Sequence, residues 1–215
     1  MPSSVAARGL YVSENGKLQI MKMRDIKEPM IKLLEDAAEA ERLLEEQDTQ
    51  FFRRAYIRSL FSSTEGIIWL MKQTCLKANP VVGMRKIAIA DYAILADESY
   101  DLKNNGETSV QTKFLKLPDN LRFTVKTVNR LFGAQLDLGV GTTKWENFKK
   151  AIEVRNRITH PRNTSEVDIS DDEIEMCKEV SSWFNELVHE FMQSLLKTSV
   201  SATQQGKQLE GAESE

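Results

Sequence analysis

The residues best suited to do chemistry lie near the end of one predicted helix, within residues 145–163. Arg155, Asn156 and His160 occur there, and Pro161 follows them. Asn156 and His160 are four residues apart, which places them on one face of a helix. Arginine offers a planar fork that fits phosphate, and histidine titrates near neutral pH. This combination at a helix end favours an anion site suited to phosphodiester chemistry.

The sequence contains signals for both the start and the end of the helix that carries these side chains. Thr143 and Glu146 form a capping box, so the helix should begin at Thr143 or the next residue. Pro161 disfavours helical geometry at the residue before it, so the helix should end near His160. Arg155 falls among apolar residues, where an unpaired charge is costly. It is therefore either a core arginine with a bonded or solvated head, or the charge of an anion site.

The hexad 155–160, RNRITH, with Pro161 after it, resembles the R-x4-6-H motif of the HEPN superfamily. HEPN domains are small all-helical bundles, and many are metal-independent endoribonucleases that act as dimers. The resemblance covers roughly residues 25–197. It implies RNA as substrate and a homodimer in which two motifs meet, with no metal and no cofactor. It also implies a role in prokaryotic toxin–antitoxin or phage-defence systems, with an antitoxin as a candidate partner protein.

The resemblance further implies a role for each motif residue. RNA carries its own nucleophile, the 2′-hydroxyl, so His160 would serve as general base or acid. Arg155 would stabilise the charge that develops on the phosphorane. Asn156 would orient His160 or donate to a phosphate oxygen. One histidine per subunit cannot easily make both proton transfers, which is a chemical reason to expect a two-fold dimer.

Glu65 is the residue expected to hold Arg155 from a neighbouring helix. It is the only acid in the apolar run 60–71. Its carboxylate should lie within hydrogen-bond reach of the side chain of Arg155 or Asn156 in the same subunit. One edge of the arginine fork would then remain free for phosphate. The alternative is a Glu65 that faces solvent beside a basic neighbour.

Basic residues surround the motif on a chain whose formal net charge is −3. Residues 144–163 contain six basic and two acidic residues, whereas residues 166–190 contain nine acids and one lysine. A confined phosphate site fits this distribution better than general affinity for nucleic acid, with an incidental helix face as the alternative. The residues predicted to contact RNA are Lys149, Arg157 and Arg162. A second basic face consists of Arg53, Arg54 and Arg58. The two alternatives for this face are that it is solvated or that it contacts RNA.

The composition is that of an ordinary globular protein. With 215 residues, 41% hydrophobic and 28% charged, the chain can bury one core. It shows no apolar leader and no stretch of membrane-spanning length, so we expect a cytoplasmic protein without membrane contact. Cys75 and Cys177 lack the spacing of metal ligands and lie in predicted helices. They are therefore expected to be reduced thiols, with a disulfide or redox role as the alternative.

Helical periodicity predicts an all-α fold, an up-and-down bundle of about five to six helices. The predicted helices cover residues 25–47, 49–77, 83–97, 120–131, 143–160 and 171–197. In the first of them, the predicted buried stripe is Ile31, Leu34, Ala38 and Leu43. A second capping box, Ser170 to Glu173, opens the last helix. Residues 101–116 combine a turn signal with an extended segment, so the sequence allows a small hairpin in this region.

The predicted organisation has three parts: an N-terminal arm, 1–24; a HEPN-like helical domain, 25–197; and a disordered polar tail, 198–215. The alternative to an endoribonuclease is a non-catalytic HEPN-like module that binds nucleotides or a partner protein. Arg162 stands where families paired with a nucleotidyltransferase antitoxin often carry a tyrosine, which argues against tyrosine modification at that position.

Overall fold

The computed structural model describes residues 23–78 and 87–212, and the surroundings of the side chains from 25 to 78 and from 87 to 198. This part of the chain forms six α-helices, one antiparallel hairpin and one short 3-10 helix, so the predicted all-α bundle with a small hairpin is confirmed. The elements are α1 (Met23–Glu46), α2 (Gln50–Ala78), α3 (Ile89–Leu95), β1 (Glu98–Leu102), β2 (Thr108–Thr112), α4 (Leu117–Phe132), α5 (Thr143–Thr159), the 3-10 helix (Thr164–Val167) and α6 (Asp171–Ala212).

The most apolar long helix, α2, lies at the centre of the bundle. It packs against α1, α3, α4, α5 and α6. Tyr56, Phe61 and Ile68 are among its many buried residues. Each buried side chain of this size contributes about 1.5–3 kcal/mol through removal of its apolar surface from water. The helices around α2 are therefore held mainly by contacts with it.

An aromatic cluster positions α5 between α2 and α6. The ring centroids of Phe148 and Trp183 lie 5.3 Å apart, and those of Phe148 and Phe61 lie 6.5 Å apart. Trp145 joins the same cluster from the first turn of α5. Because α5 contributes to the cluster from its N-terminal half, its C-terminal turn reaches the edge of the core beside α2.

The buried face of α1 differs from the predicted one. The predicted stripe was Ile31, Leu34, Ala38 and Leu43. The buried residues are Ile26, Met30, Ala37 and Leu44. Both sets have helical spacing, so contact with α2 decides between them. Gly66 allows that contact, because a Cβ added there would lie 2.8 Å from Cδ1 of Leu33.

The region around the hairpin differs from the predicted boundaries. α3 covers only Ile89–Leu95, and residues 83–86 of the predicted helix 83–97 lie outside the described residues. Asp97 has a left-handed backbone, with φ of 55°, and its carboxylate pairs with the fully buried ammonium group of Lys72. The helix therefore stops before Asp97. The strands then pair from Glu98 with Thr112 to Leu102 with Thr108, close to the predicted turn.

The two ends of the chain also bear on the predicted organisation. Most of the predicted arm, 1–24, lies outside the described residues, and residues 23 and 24 belong to α1. α6 continues to Ala212, beyond the predicted helix end at 197, and the disorder predicted for the tail from 198 stays a prediction. An established helix adds one hydrogen bond per residue, and this segment contains no proline to interrupt it. Within the described ranges no helix is both long and apolar enough to cross a membrane.

Candidate active site at the end of α5

The predicted start of α5 is correct, but its capping is not. α5 begins at Thr143, with Thr142 as the extended N-cap residue and no side-chain cap bond. The Thr142 hydroxyl donates to the Gly139 carbonyl oxygen at 2.7 Å, and Glu146 pairs with Lys149 at 2.7 Å. The predicted capping box is therefore absent, because Thr143 already has helical geometry and does not occupy the cap position.

The motif end of α5 closes as its sequence predicts. His160 leaves the helix with φ of −129° and ψ of 61°, next to Pro161. Its backbone N–H donates to the carbonyl oxygen of Asn156 at 3.0 Å. The Thr159 hydroxyl donates to the carbonyl oxygen of Arg155 at 2.7 Å. The side chains of Asn156, in the last turn of the helix, and of His160, at the C-cap position four residues later, are both exposed.

The predicted contact between Glu65 and Arg155 is confirmed. Nη2 of Arg155 donates to Oε1 of Glu65 across the α2–α5 junction. The guanidinium carbon also lies 5.5 Å from the centre of the Phe61 ring. Nε of Arg155 is buried and has no partner within the described part of the chain. The guanidinium group is thus held by a carboxylate on one side and rests on an aromatic ring.

Glu65 does not face inward, however, as its apolar neighbours suggested. The Glu65 side chain is 48% exposed, and that of Arg155 is 24% exposed. Ion pairs that are this open to solvent contribute at most about 1 kcal/mol to stability. The main consequence of the pair is therefore orientation, because the carboxylate restricts where the arginine fork can point.

Arg157, one of the predicted RNA contacts, is bonded to the loop that follows the motif. Its Nη1 donates to the carbonyl oxygens of Glu166 and Asp168 at 2.9 Å each, and its Nη2 donates to Glu173 at 2.6 Å. The Arg162 side chain is exposed, and its backbone N–H donates to Glu166 at 2.8 Å. Of these two arginines, Arg162 has the more accessible guanidinium group.

The second basic face binds the same loop, a role that the sequence did not reveal. Arg53, Arg54 and Arg58 donate to the carbonyl oxygens of Ile169, Val167 and Ile158 at 2.8, 3.2 and 3.0 Å, respectively. Arg53 also pairs with Asp48 and Asp171. These bonds fasten the chain on both sides of His160 to α2. Regular spacing on an apolar helix was the only available signal, since backbone acceptors leave no mark in a sequence.

Acidic residues of α6 offset much of the basic charge of α5. Lys144 lies 3.6 Å from Glu186, in addition to the bond between Arg157 and Glu173. Among the described residues, the Lys150 and Arg162 side chains are the two in 144–163 without an acidic partner. Long-range attraction of nucleic acid to this surface is therefore weaker than the six basic residues alone would give.

The two best-formed clefts and the two cysteines add no further group to the motif. Two clefts of about 280 and 390 Å³ share Thr143, Lys144, Trp183 and Glu186 at the opposite end of α5. Cys75 and Cys177 are free and buried, and burial raises the pKa of each thiol to about 12. Within the described residues, no three His, Cys, Asp or Glu side chains form a group that could hold a metal ion.

Comparison with protein-family models, with curated proteins and with solved structures finds no match to this chain. The class defined by the fold and the site is that of an all-α bundle with a small hairpin. At the end of one helix it carries an arginine, held by a glutamate, near an exposed histidine.

Proposed function

We propose that this protein is a metal-independent endoribonuclease of the HEPN type, which cleaves RNA by attack of the 2′-hydroxyl on the adjacent phosphate. The observation that carries the proposal is the bond from Arg155 to Glu65 in the same turn of α5 as Asn156. His160 follows one turn later and is exposed. A guanidinium group, an amide and an imidazole therefore share one helix end.

Arg155 supplies the electrostatic part of the mechanism. Negative charge grows on the phosphate oxygens as the 2′-oxygen attacks, and a preorganised guanidinium group stabilises that charge more than the starting phosphate. Glu65 occupies one terminal nitrogen, and the partial exposure of Arg155 gives a ligand access to the group. Asn156 orients His160 or donates to a phosphate oxygen from the same turn.

His160 supplies the proton transfers. As a general base it takes the proton of the 2′-hydroxyl, and as a general acid it gives a proton to the leaving 5′-oxygen. Because the chain places one histidine in the motif, we propose a homodimer in which two motifs share a cleft around a two-fold axis near His160. Light scattering at micromolar concentration should give twice the monomer mass, and a strict monomer would contradict this arrangement.

Cleavage of RNA by the purified protein in EDTA is the direct test. The wild type should produce fragments ending in a 2′,3′-cyclic phosphate, and an RNA with 2′-deoxyribose at the cleaved position should remain intact there. His160→Ala should abolish the activity. The matched control is His189→Ala, since His189 is exposed on α6 and bonds to Gln193.

Two results would overturn the nuclease proposal. One is cleavage by His160→Ala at the wild-type rate, and the other is a purified wild-type protein that leaves RNA intact in EDTA. By its resemblance, the proposed nuclease belongs to cytoplasmic toxin–antitoxin or phage-defence systems of prokaryotes, where an antitoxin is a further candidate partner.

A second candidate, a non-catalytic protein-interaction module, is favoured by the hairpin. Tyr100 and its cross-strand partner Val110 are 53% and 55% exposed, and Leu102 is 75% exposed on the same face. Exposed apolar clusters of this kind mark interaction surfaces. Leu102→Ser with Val110→Ser should abolish partner binding and preserve RNA cleavage if both functions reside in this chain. A protein that binds a partner through this face and does not cleave RNA would favour this candidate over the nuclease.

A further inference from the structure

Trp69, an exposed tryptophan, lies on α2 one turn after Glu65, the residue that binds Arg155 in the candidate site. Trp69 is 52% exposed, whereas Trp145 and Trp183 are 2% and 6% exposed. Tryptophan is strongly buried on average, because its ring has a large apolar surface. Within the described residues, the Trp69 ring does not stack on another aromatic ring or a guanidinium group. About half of the Trp69 surface is therefore open to a ligand.

Trp69 lies on the face of α2 whose residues contact Arg155. Phe61, Glu65 and Trp69 follow one another at intervals of one turn, so they share a face of the helix. Phe61 lies against the guanidinium group of Arg155, and Glu65 binds it. Side chains on a helix lean toward its N-terminus, so Trp69 covers the turn that carries Glu65. The rise from Glu65 to Trp69 is about 6 Å along the axis.

The motif corner lies on the other side of Arg155. Arg58, nearer the start of α2 than Phe61, donates to the carbonyl oxygen of Ile158, two residues before His160. Along α2 the order is therefore the motif corner, the Arg155 pair and then Trp69. An RNA strand that runs along α2 would therefore meet the His160 end first, then Arg155, and last the Trp69 ring.

We infer that Trp69 is a stacking platform for an unpaired nucleobase, and that the substrate of this site is single-stranded RNA. The inference rests on the proposed function, which puts an RNA phosphate at Arg155. Aromatic side chains stack on the faces of unpaired bases, and a duplex hides those faces between neighbouring base pairs. Stacking also suits this surface chemically, because the acids of α6 offset much of the charge that would hold a phosphate backbone.

Binding of a short labelled RNA, measured by fluorescence anisotropy in EDTA, tests the inference. His160→Ala serves as the background, so that cleavage does not consume the probe. Adding Trp69→Leu should weaken binding of a single-stranded decamer about tenfold, and Trp69→Phe should retain most of the affinity. The same RNA annealed to its complement should bind weakly, with no effect of Trp69→Leu.

Phe51→Leu is the matched control. Phe51 is 66% exposed on the same helix, 14 residues from Glu65 and therefore about 21 Å away along the axis. This variant should bind the decamer as the His160→Ala background does. Single-stranded RNA should also quench the emission of the exposed Trp69 in that background, and Trp69→Leu should remove the quenched component.

Unchanged binding of the decamer by Trp69→Leu would overturn the inference. A Trp69→Leu protein that becomes monomeric while the parent is dimeric would also overturn it, because the ring would then belong to a subunit interface. The nuclease proposal fails separately. Trp69-dependent binding without cleavage by the wild type would retain the stacking site and reject the nuclease, whereas cleavage without Trp69-dependent binding would do the reverse.

Discussion

Two of the charged pairs that connect α2 to other parts of the bundle, Lys72 with Asp97 and Glu65 with Arg155, differ in how far solvent reaches them. The side chains of Lys72 and Asp97 are 1% and 19% exposed. Those of Arg155 and Glu65 are 24% and 48% exposed. Both pairs join residues that are distant in sequence, but only the second pair leaves a cation that a ligand can reach.

This difference in exposure separates a structural pair from a candidate functional one. The Lys72 ammonium group depends on Asp97, because a buried charge without a partner is strongly unfavourable. Asp97 adopts a left-handed backbone at the junction between α3 and the hairpin, so the pair also connects that junction to α2. Arg155 keeps access to water and depends less on Glu65 for stability, which allows it to bind an anion.

The largest effect on stability should come from breaking the buried pair. Asp97→Asn keeps the shape of the side chain and tolerates the left-handed backbone, but it leaves the Lys72 charge unpaired. We expect the free energy of unfolding to fall by about 3 kcal/mol. Urea denaturation measures this loss directly. A loss no greater than that caused by Glu65→Gln would erase the distinction between the two pairs.

Removal of either motif side chain should affect activity and spare the fold. Arg155→Ala and His160→Ala should each lower RNA cleavage by at least about 100-fold, because each removes a group that acts in the transition state. The unfolding free energy of Arg155→Ala should fall by no more than about 1 kcal/mol. Single-turnover cleavage and urea denaturation of the same preparations check both points. Wild-type cleavage by either variant would contradict the mechanism.

Glu65→Gln should have an intermediate effect. The amide preserves a hydrogen-bond acceptor for Arg155 but loses the charge, so cleavage should fall by about tenfold and stability by less than about 1 kcal/mol. The rate should fall less than in Arg155→Ala, since the arginine remains. Cleavage and stability equal to the wild type would mean that Glu65 does not position Arg155.

A much smaller effect than that of Asp97→Asn is expected from changing the other half of the buried pair. Lys72→Met replaces the buried ammonium group with an apolar side chain of similar length, while the Asp97 carboxylate keeps some contact with water. Stability should fall by about 1 kcal/mol or less, since apolar replacement of buried charges is often nearly neutral. Urea denaturation should therefore rank Asp97→Asn well below Lys72→Met in stability. The opposite order would show that the carboxylate is the more dependent partner.

Several features of the site were predictable because their signals are local. The end of α5 followed from Pro161, and the start of α6 followed from Ser170 and Glu173. The structure contains that reciprocal cap, with the Ser170 N–H donating to the Glu173 carboxylate at 3.0 Å and the Glu173 N–H donating to the Ser170 hydroxyl at 3.3 Å. The bond between Glu65 and Arg155 was predicted from two opposite charges among apolar residues, and the structure contains it although Glu65 is 48% exposed.

Other features required the packed chain. The capping box predicted at Thr143 is absent, and only the path of the preceding loop shows that Thr142 lies at the cap position, where it makes no side-chain cap bond. The nine acids of residues 166–190 can be counted from the sequence. Whether they offset the basic residues of α5 depends on α6 packing against α5. Charge totals do not reveal such pairing, because electrostatic interactions depend on distance and solvent exposure.

The sequence by itself determined the approximate bounds of α1, α2, α4 and α5, the start of α6, and which residue types stand at the motif. Tertiary structure decided which stripe of α1 is buried, because Gly66 admits Leu33 against α2. It also decided that Arg53, Arg54 and Arg58 secure the loop around the motif. Helix periodicity and capping act over a few neighbouring residues and can be read along a chain. A carbonyl acceptor or a missing Cβ acquires its meaning only when distant segments pack together.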